Sequence, residues 1–169
     1  MLIRIVLACL FFVPAQAVAL PSLEPARDLA ADAAKAACSG QPLVLMFSSD
    51  YCTYCHIVRD LYLRPILEDK RYPGIIIREI NTTSSDQVRD FNGRMVTMQD
   101  LAFQYDTHLV PVVAMLGTGG GMLTEPMIGI SSQDYYGYYL DEALQSAGEQ
   151  VRRQSSDAPS GVRREYACD

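Results

Sequence analysis

Two cysteines separated by two residues are the side chains of this sequence best suited to chemistry. Cys52-Thr53-Tyr54-Cys55 follows the apolar run 43–47, which is typical of a strand buried on both faces, and opens a segment with helical periodicity. A cysteine at a helix N-terminus faces unpaired backbone N–H groups, which lower its pKa. Cys52 is therefore expected to be the nucleophile of thiol–disulfide exchange, and Cys55, one turn further on, to resolve the mixed disulfide.

Pro111 is the second feature that indicates a site. It interrupts the apolar run 109–116, and a proline inside a buried strand removes a hydrogen-bond donor from the sheet. A cis-proline beside the dithiol explains this position and leaves the backbone of Val110 to pair with an extended substrate peptide. Val110, Pro111, Thr53 and Tyr54 are therefore predicted to bind substrate. An edge-strand proline without a function is the alternative.

The segments around these residues alternate between helix and strand patterns. Helical patterns cover 21–37, about 52–67, 98–105 and 131–147, and strand patterns cover 43–47, 74–80, 109–116 and 122–128. Residues 81–96 are polar and rich in turn formers, and 117–121 form a predicted hairpin turn. Pro65 is expected to kink or end the second helix. The order predicts an α/β fold with a central mixed β-sheet flanked by helices.

The first 19 residues have the pattern of a cleaved signal peptide. Arg4 supplies a positive charge, an unbroken apolar run follows, and A-x-A sites predict cleavage near Ala17 or Ala19. The apolar run is too short to cross a membrane, and no later segment is long enough. We therefore expect an exported protein, periplasmic or secreted, that is soluble after cleavage.

Downstream of this leader the sequence divides into three parts. Residues 20–42 are a predicted N-terminal helix and linker, 43–147 form the folded domain, and 148–169 are predicted to be a flexible polar tail. Cys38 and Cys168 lie outside the central motif. An exported protein permits a structural disulfide between them that would tether the tail. A free or intermolecular thiol at Cys168 is an equal alternative.

Composition narrows the classes of partner. The chain has 14 basic and 20 acidic side chains and a net charge of −6, which excludes a nucleic-acid site built on clustered positive charge. Five cysteines against two histidines indicate chemistry based on sulfur.

No cofactor is expected, because the dithiol is itself the redox group. The expected partners are protein thiols and disulfides. The absence of a separate dimerisation domain argues against a dimeric isomerase, and we expect a monomer.

Several motifs together resemble the thioredoxin fold. The strand followed by C-x-x-C and a helix, the Val110-Pro111 pair, and the closing strands and helix agree with that fold over roughly 43–147. Phe47 with Cys-x-Tyr-Cys-His is similar to the exported disulfide-bond (Dsb) oxidoreductases. The motifs that resemble periplasmic Sox-type thioredoxins are Phe91-x-Gly93, Leu101-Ala102-x-x-Tyr105 and Tyr139-Leu-Asp-Glu-Ala-Leu144.

The resemblance implies roles for the site residues. In these families the first cysteine, here Cys52, is the nucleophile, the second, here Cys55, resolves, and the cis-proline falls on Pro111. The Sox-type resemblance favours the reducing direction. A partner protein, such as a membrane thiol transporter, is expected to supply or accept the electrons.

Two positions depart from cytosolic thioredoxins. The buried Asp six residues before the first cysteine is Met46 here, and the Trp before that cysteine is Tyr51. The proton acceptor for Cys55 is then expected to be a water, Glu79 or another group. These departures, together with the Thr-Tyr dipeptide between the cysteines, indicate a specialised exported enzyme.

Covalent haem is one alternative interpretation of the motif. Residues 52–56 satisfy C-x-x-C-H, so that His56 would be the proximal ligand and Met95 or Met98 the second one. Cytochromes c are small helical proteins, however, whereas this motif follows a predicted buried strand.

A copper- or zinc-binding thiol module is the other alternative. The two thiols of the motif could bind the metal together with His56 or His108. The sequence contains no second C-x-x-C motif and no paired histidines, so it favours the dithiol enzyme and predicts no metal site.

Overall fold

A five-stranded mixed sheet lies at the centre of the computed structural model, which describes residues 21–157. Its strands are β1 (Glu24–Pro25), β2 (Leu43–Ser48), β3 (Ile76–Asn81), β6 (Val112–Leu116) and β7 (Met127–Ile128). They are ordered β1–β3–β2–β6–β7, with β1, β3 and β2 parallel and the β2–β6 and β6–β7 pairs antiparallel. A separate antiparallel pair consists of β4 (Gln87–Arg89) and β5 (Met95–Thr97).

Helices cover both faces of the central sheet. They are α1 (Leu29–Cys38), α2 (Thr53–Ile57), a π-helical segment (Val58–Leu63), α3 (Arg64–Ile66), α4 (Met98–Gln104) and α5 (Gln133–Asp157). The segments from α2 to α3 follow one another without a break. The predicted α/β fold, with a mixed central sheet flanked by helices, is confirmed.

Strand β2 is buried on both faces, as its continuous apolar run predicts. Alternate side chains of a strand point to opposite faces, so Leu45 and Phe47 join one apolar cluster and Val44 and Met46 join the other. The first cluster includes residues of α1 and α4, and the second includes residues of the helix after Cys52 and of α5. Packing on both faces therefore holds β2 in place, and Cys52 follows shortly after this strand.

The N-terminal helix is shorter than predicted. It begins at Leu29, because the carboxylate of Asp28 accepts a hydrogen bond from the backbone N–H of Ala31 (3.0 Å) and caps the helix there. The residues before it form β1, which pairs in parallel with β3. The prediction of helix over 21–28 was therefore wrong.

The segment 81–96 contains two strands that the sequence did not predict. The carboxylate of Asp90 accepts hydrogen bonds from the backbone N–H groups of Asn92 and Arg94 (both 2.8 Å) and closes the turn between β4 and β5. Each strand is only three residues long. Such a hairpin depends on side-chain bonds in its turn, which polar composition alone does not reveal.

The strand after Pro111 also differs from the prediction. It begins at Val112, so Pro111 precedes β6 instead of interrupting it. The following strand is confined to Met127–Ile128, and the predicted start of that strand forms only an isolated bridge between Met122 and Leu116. The strand prediction over 122–128 was therefore too long.

The last helix extends ten residues beyond its predicted end at Ala147 and reaches Asp157. Val151 is buried, and the hydroxyl of Ser155 donates to the Val151 carbonyl (2.9 Å). The prediction of a flexible tail is therefore wrong for 148–157. The predicted signal peptide, Cys168 and the rest of the predicted tail lie outside the described residues.

Candidate active site

The two cysteines and Pro111 lie at the same edge of the sheet. Strand β2 runs antiparallel to β6, and Phe47 near the end of β2 pairs with Val112 at the start of β6. The chain that leaves β2 towards Cys52 therefore lies beside the chain that enters β6 from Pro111. Cys52 also packs, together with Val110, against the apolar cluster that contains Cys55.

Cys52 is the N-cap residue of α2. Its sulfur accepts a hydrogen bond from the backbone N–H of Cys55 (3.1 Å), which also donates to the Cys52 carbonyl (3.0 Å) in the first turn of the helix. The two cysteines form a disulfide with their Cα atoms 5.2 Å apart. Cys55 is fully buried, whereas Cys52 is partly exposed. The arrangement makes Cys52 the member of the pair that another molecule can reach.

The other residues predicted to bind substrate surround the disulfide. Thr53 and Tyr54 are exposed, Val110 is partly exposed and Pro111 is buried. The Val110–Pro111 peptide bond is cis, as expected. The carbonyl of Pro111 accepts a hydrogen bond from Gly129 N–H (2.8 Å), which connects this segment to the end of β7. That these residues bind a substrate stays a prediction.

A hydrogen-bonded network connects the active-site helix to the sheet. Nε of Arg59 donates to Oε2 of Glu79 (3.0 Å), and Nη2 of Arg59 donates to Oε1 of the same carboxylate. The Ser48 hydroxyl also donates to Oε1 of Glu79. Nη1 of Arg59 lies 2.9 Å from Nδ1 of His56. The hydrogen bonds that Arg59 donates to Glu79 are the main cause that raises the pKa of Arg59, so this side chain stays cationic.

The sequence named His56 and Glu79 but missed Arg59 and Ser48, which join them. Arg59 is the fourth residue after Cys55, so helical spacing, which places both on one face of the helix, gave one signal. The link from Arg59 to Glu79 depends on the register between β2 and β3, which the sequence does not reveal. The local helix is also irregular, since the N–H of Arg64 bonds to the carbonyl of Arg59 in a π-helical turn just before Pro65.

A surface cavity of about 380 Å³ opens beside the network. Its polar lining comes from Asp50, His56, Arg59, Glu79, Asn81, Ser84 and Asp86. The amide of Asn81 donates to the carboxylate of Asp50 (2.9 Å), which fixes one wall. The cavity adjoins the helix that carries the disulfide, and carboxylates outnumber cations in its lining.

Metal ligands are not clustered in the part of the chain that the structure describes. Over residues 21–157, no group of three or more His, Cys, Asp and Glu side chains could hold a metal ion. His108 instead pairs with Asp106 on the surface (2.7 Å). Cys38 is the last residue of α1, and Cys168, to which the sequence permits a disulfide, lies outside the described residues.

The described part of the chain also lacks a helix long and apolar enough to span a bilayer.

Comparison with known proteins identifies the fold. No family model and no curated protein matches the chain. Among solved structures, DsbH oxidoreductase aligns with a TM-score of 0.51 and 17% identity over 82% of this chain and 95% of its own. The DsbD C-terminal domain of Neisseria meningitidis aligns with a TM-score of 0.45 and 18% identity, over 68% of this chain and 90% of its own. Thioredoxin O2 of Arabidopsis thaliana has a TM-score of 0.48 and 16% identity, over 73% and 92%.

The order of strands, the helices on both faces and the alignment with DsbH oxidoreductase agree. The chain has a thioredoxin fold, and the Cys52–Cys55 disulfide lies at the N-terminus of the helix that follows β2.

Proposed function

We propose that this protein is an exported thiol–disulfide oxidoreductase that reduces disulfides in protein substrates. The observation that carries the proposal is the asymmetry of the Cys52–Cys55 disulfide. Cys52 is partly exposed and caps the helix, whereas Cys55 is buried beneath it. A pair with one accessible and one protected sulfur suits an exchange in two steps.

The reaction begins with the reduced pair. The Cys52 thiolate attacks one sulfur of the substrate disulfide, forms a mixed disulfide and releases the other substrate sulfur as a thiolate, which takes up a proton. Cys55 then loses its proton and attacks the Cys52 sulfur, which releases the second substrate thiol. Two electrons pass from the dithiol to the substrate, and the Cys52–Cys55 disulfide remains. The N–H of Cys55 that points at the Cys52 sulfur supports its thiolate form.

Substrate binding is assigned to the surface around Cys52. Tyr54 presents a 59% exposed aromatic ring and Thr53 an exposed side chain, both between the two cysteines. Val110 lies at the same sheet edge and packs on the same apolar cluster as Cys52. An extended peptide beside Val110 would place its disulfide next to the Cys52 sulfur.

Export and the reducing direction rest on the sequence. The signal-peptide pattern of residues 1–19 favours a periplasmic or secreted protein, and the Sox-type resemblance favours reduction. A reductase in an oxidising compartment needs a supply of electrons. We assign that role to a partner protein, such as a membrane thiol transporter, and propose a monomer that acts on protein thiols and disulfides.

Reduction of insulin disulfides by the purified protein tests the activity. The wild-type protein is expected to catalyse reduction by dithiothreitol, and Cys52→Ser is expected to be inactive. A Cys52→Ser protein with wild-type activity would contradict the mechanism. The direction of the reaction is tested by measuring the reduction potential of the Cys52–Cys55 pair. We expect a value of about −270 mV, at the reducing end of the range for dithiol proteins, and not about −120 mV, at the oxidising end. A Soret band in the same sample would instead support covalent haem.

A further inference from the structure

The contact between Arg59 and His56 sets the protonation state of the imidazole. A guanidinium group has N–H donors and no acceptor, so Nδ1 of His56 accepts the hydrogen bond from Nη1 of Arg59 (2.9 Å). An imidazole that accepts at Nδ1 has its proton on Nε2 and is neutral, because the charged ring donates from both nitrogens. Glu79 accepts from the other side of the guanidinium and holds it in this position.

His56 lies where its charge would act on Cys52. It is the fourth residue after Cys52, and its backbone N–H lies 3.4 Å from the Cys52 carbonyl oxygen. Cys52 is the extended N-cap residue of α2, and His56 lies one helical turn further on, a rise of about 5.4 Å along the helix axis. A protonated imidazole at this distance would stabilise a thiolate at Cys52.

Two carboxylates besides Glu79 share a cavity lining with His56. They belong to Asp50 and Asp86, which remain when the Arg59–Glu79 pair is removed, and Arg59 is the cation in that lining. Carboxylates near a histidine favour its charged form. Arg59 is therefore the group in the lining that opposes an imidazolium next to the dithiol.

We propose that Arg59, held by Glu79, is a positioning residue that keeps His56 neutral. The Cys52 thiolate is then not stabilised by a charged imidazole. A dithiol couple becomes more oxidising when its reduced form is stabilised, and more reducing when that stabilisation is missing. The Arg59–Glu79 pair therefore holds the Cys52–Cys55 couple towards the reducing end. This inference rests on the proposed function and names the residues that set its direction.

The test measures the redox equilibrium with glutathione in the wild-type protein and in the double variant Arg59→Met/Glu79→Gln, which removes both charges together. The variant is expected to be more oxidising by about tenfold in the equilibrium constant, which corresponds to ~30 mV. In a protein that already carries His56→Phe, the same double substitution is expected to leave the equilibrium constant with glutathione unchanged. Equal shifts in both backgrounds, or no shift where His56 is present, would overturn the proposal.

A matched control separates this effect from lost stability. Arg78 lies on the opposite face of β3 and donates to both carboxylate oxygens of Asp32 (2.8 and 2.9 Å). It also pairs with the exposed Glu24 (3.0 Å). Its side chain is 22% exposed, compared with 20% for Arg59. The variant Arg78→Met/Asp32→Asn is therefore expected to lose an equivalent ion pair without a change in the redox equilibrium. A shift equal to that of the Arg59 variant would overturn the proposal.

A second measurement needs no variant. The ¹⁵N chemical shifts of the His56 ring in the reduced wild-type protein at pH 7 are expected to show Nδ1 unprotonated and Nε2 protonated. A ring protonated at both nitrogens would overturn the proposal. Insulin reduction by the same sample reports separately on the proposed function, because it depends on Cys52 and its failure would leave the state of the His56 ring unaffected.

Discussion

Glu79 on β3 lies directly opposite Met46 on β2 in the parallel register of the sheet. Met46 is fully buried and packs in the same apolar cluster as Cys55. The sheet therefore carries an apolar side chain on β2 and a carboxylate at the paired position of β3, where Arg59 and Ser48 bind it. This arrangement lets a charged group lie near the active-site helix without entering the apolar cluster around Cys55, where an unpaired charge would be costly.

The first prediction concerns the resolving cysteine. Cys55→Ser is expected to accumulate a mixed disulfide between Cys52 and a protein substrate, because no thiol remains to displace the product. Non-reducing electrophoresis and mass spectrometry after incubation with oxidised insulin measure the adduct. Cys52→Ser is the matched control and is expected to form none. Equal capture by the two variants would contradict the roles assigned to the two sulfurs.

The second prediction concerns substrate binding by Tyr54. Tyr54→Ser is expected to raise KM for a protein disulfide about fivefold with little change in kcat, because roughly 1 kcal/mol of apolar contact is lost when substrate binds. Leu61→Ser is the matched control, since Leu61 is exposed to a similar extent (66% against 59%) on the same helical segment but two turns further from the disulfide. An equal rise in KM for both variants would show that the ring does not contact substrate.

Periodicity and motif context were enough to predict the frame of the site. The buried run of β2, the helix start at Cys52 and the short helix at α4 follow from local pattern, because each is specified by residues adjacent in sequence. The α/β fold follows from their order.

The remaining features depend on contacts between segments distant in sequence. Strand β1 is only two residues long and exists because it pairs with β3, and the continuation of α5 to Asp157 includes Val151, which is buried in the folded chain. The bond between Arg59 and Glu79 likewise requires the register of β3. A single sequence contains no local signal for these pairings.

The third prediction compares two glycines of similar backbone conformation. Gly93 and Gly120 both have φ of +78°, which costs a side chain about 1–2 kcal/mol. A Cβ on Gly93 would meet no atom within 4 Å, whereas one on Gly120 would lie 2.5 Å from the ring of Phe91. Gly120→Ala is therefore expected to lower the free energy of unfolding by about 1–3 kcal/mol more than Gly93→Ala.

Urea denaturation of the oxidised protein measures that difference, and Phe91→Ala supplies the control. In the Phe91→Ala background the extra cost of Gly120→Ala is expected to disappear, because the clashing ring is gone. If the two alanine variants were equally stable with Phe91 present, the predicted clash would be wrong.

The fourth prediction concerns the pH dependence of stability at Tyr105. Burial, together with the charge of Asp90, raises the pKa of Tyr105 to about 12, and its hydroxyl donates to the Gly120 carbonyl (2.8 Å). The folded protein therefore keeps this proton to a higher pH than the unfolded chain, in which a tyrosine has a pKa of about 10. The associated stability is fully present below pH 10 and is lost as the pH rises from about 10 to 12.

Tyr105→Phe removes both the hydrogen bond and this titration. At pH 8 the variant is expected to be less stable than wild type by about 1 kcal/mol, because the Gly120 carbonyl loses its donor. Between pH 10 and 12 the difference is expected to shrink, since the variant has no buried phenol to ionise. Urea denaturation of the oxidised protein at pH 8, 10 and 11 measures both effects. Tyr51→Phe, at a side chain that is 99% exposed, is expected to follow the wild-type pH profile. A Tyr105→Phe profile parallel to that of wild type would mean that the Tyr105 phenol does not contribute to the alkaline loss of stability.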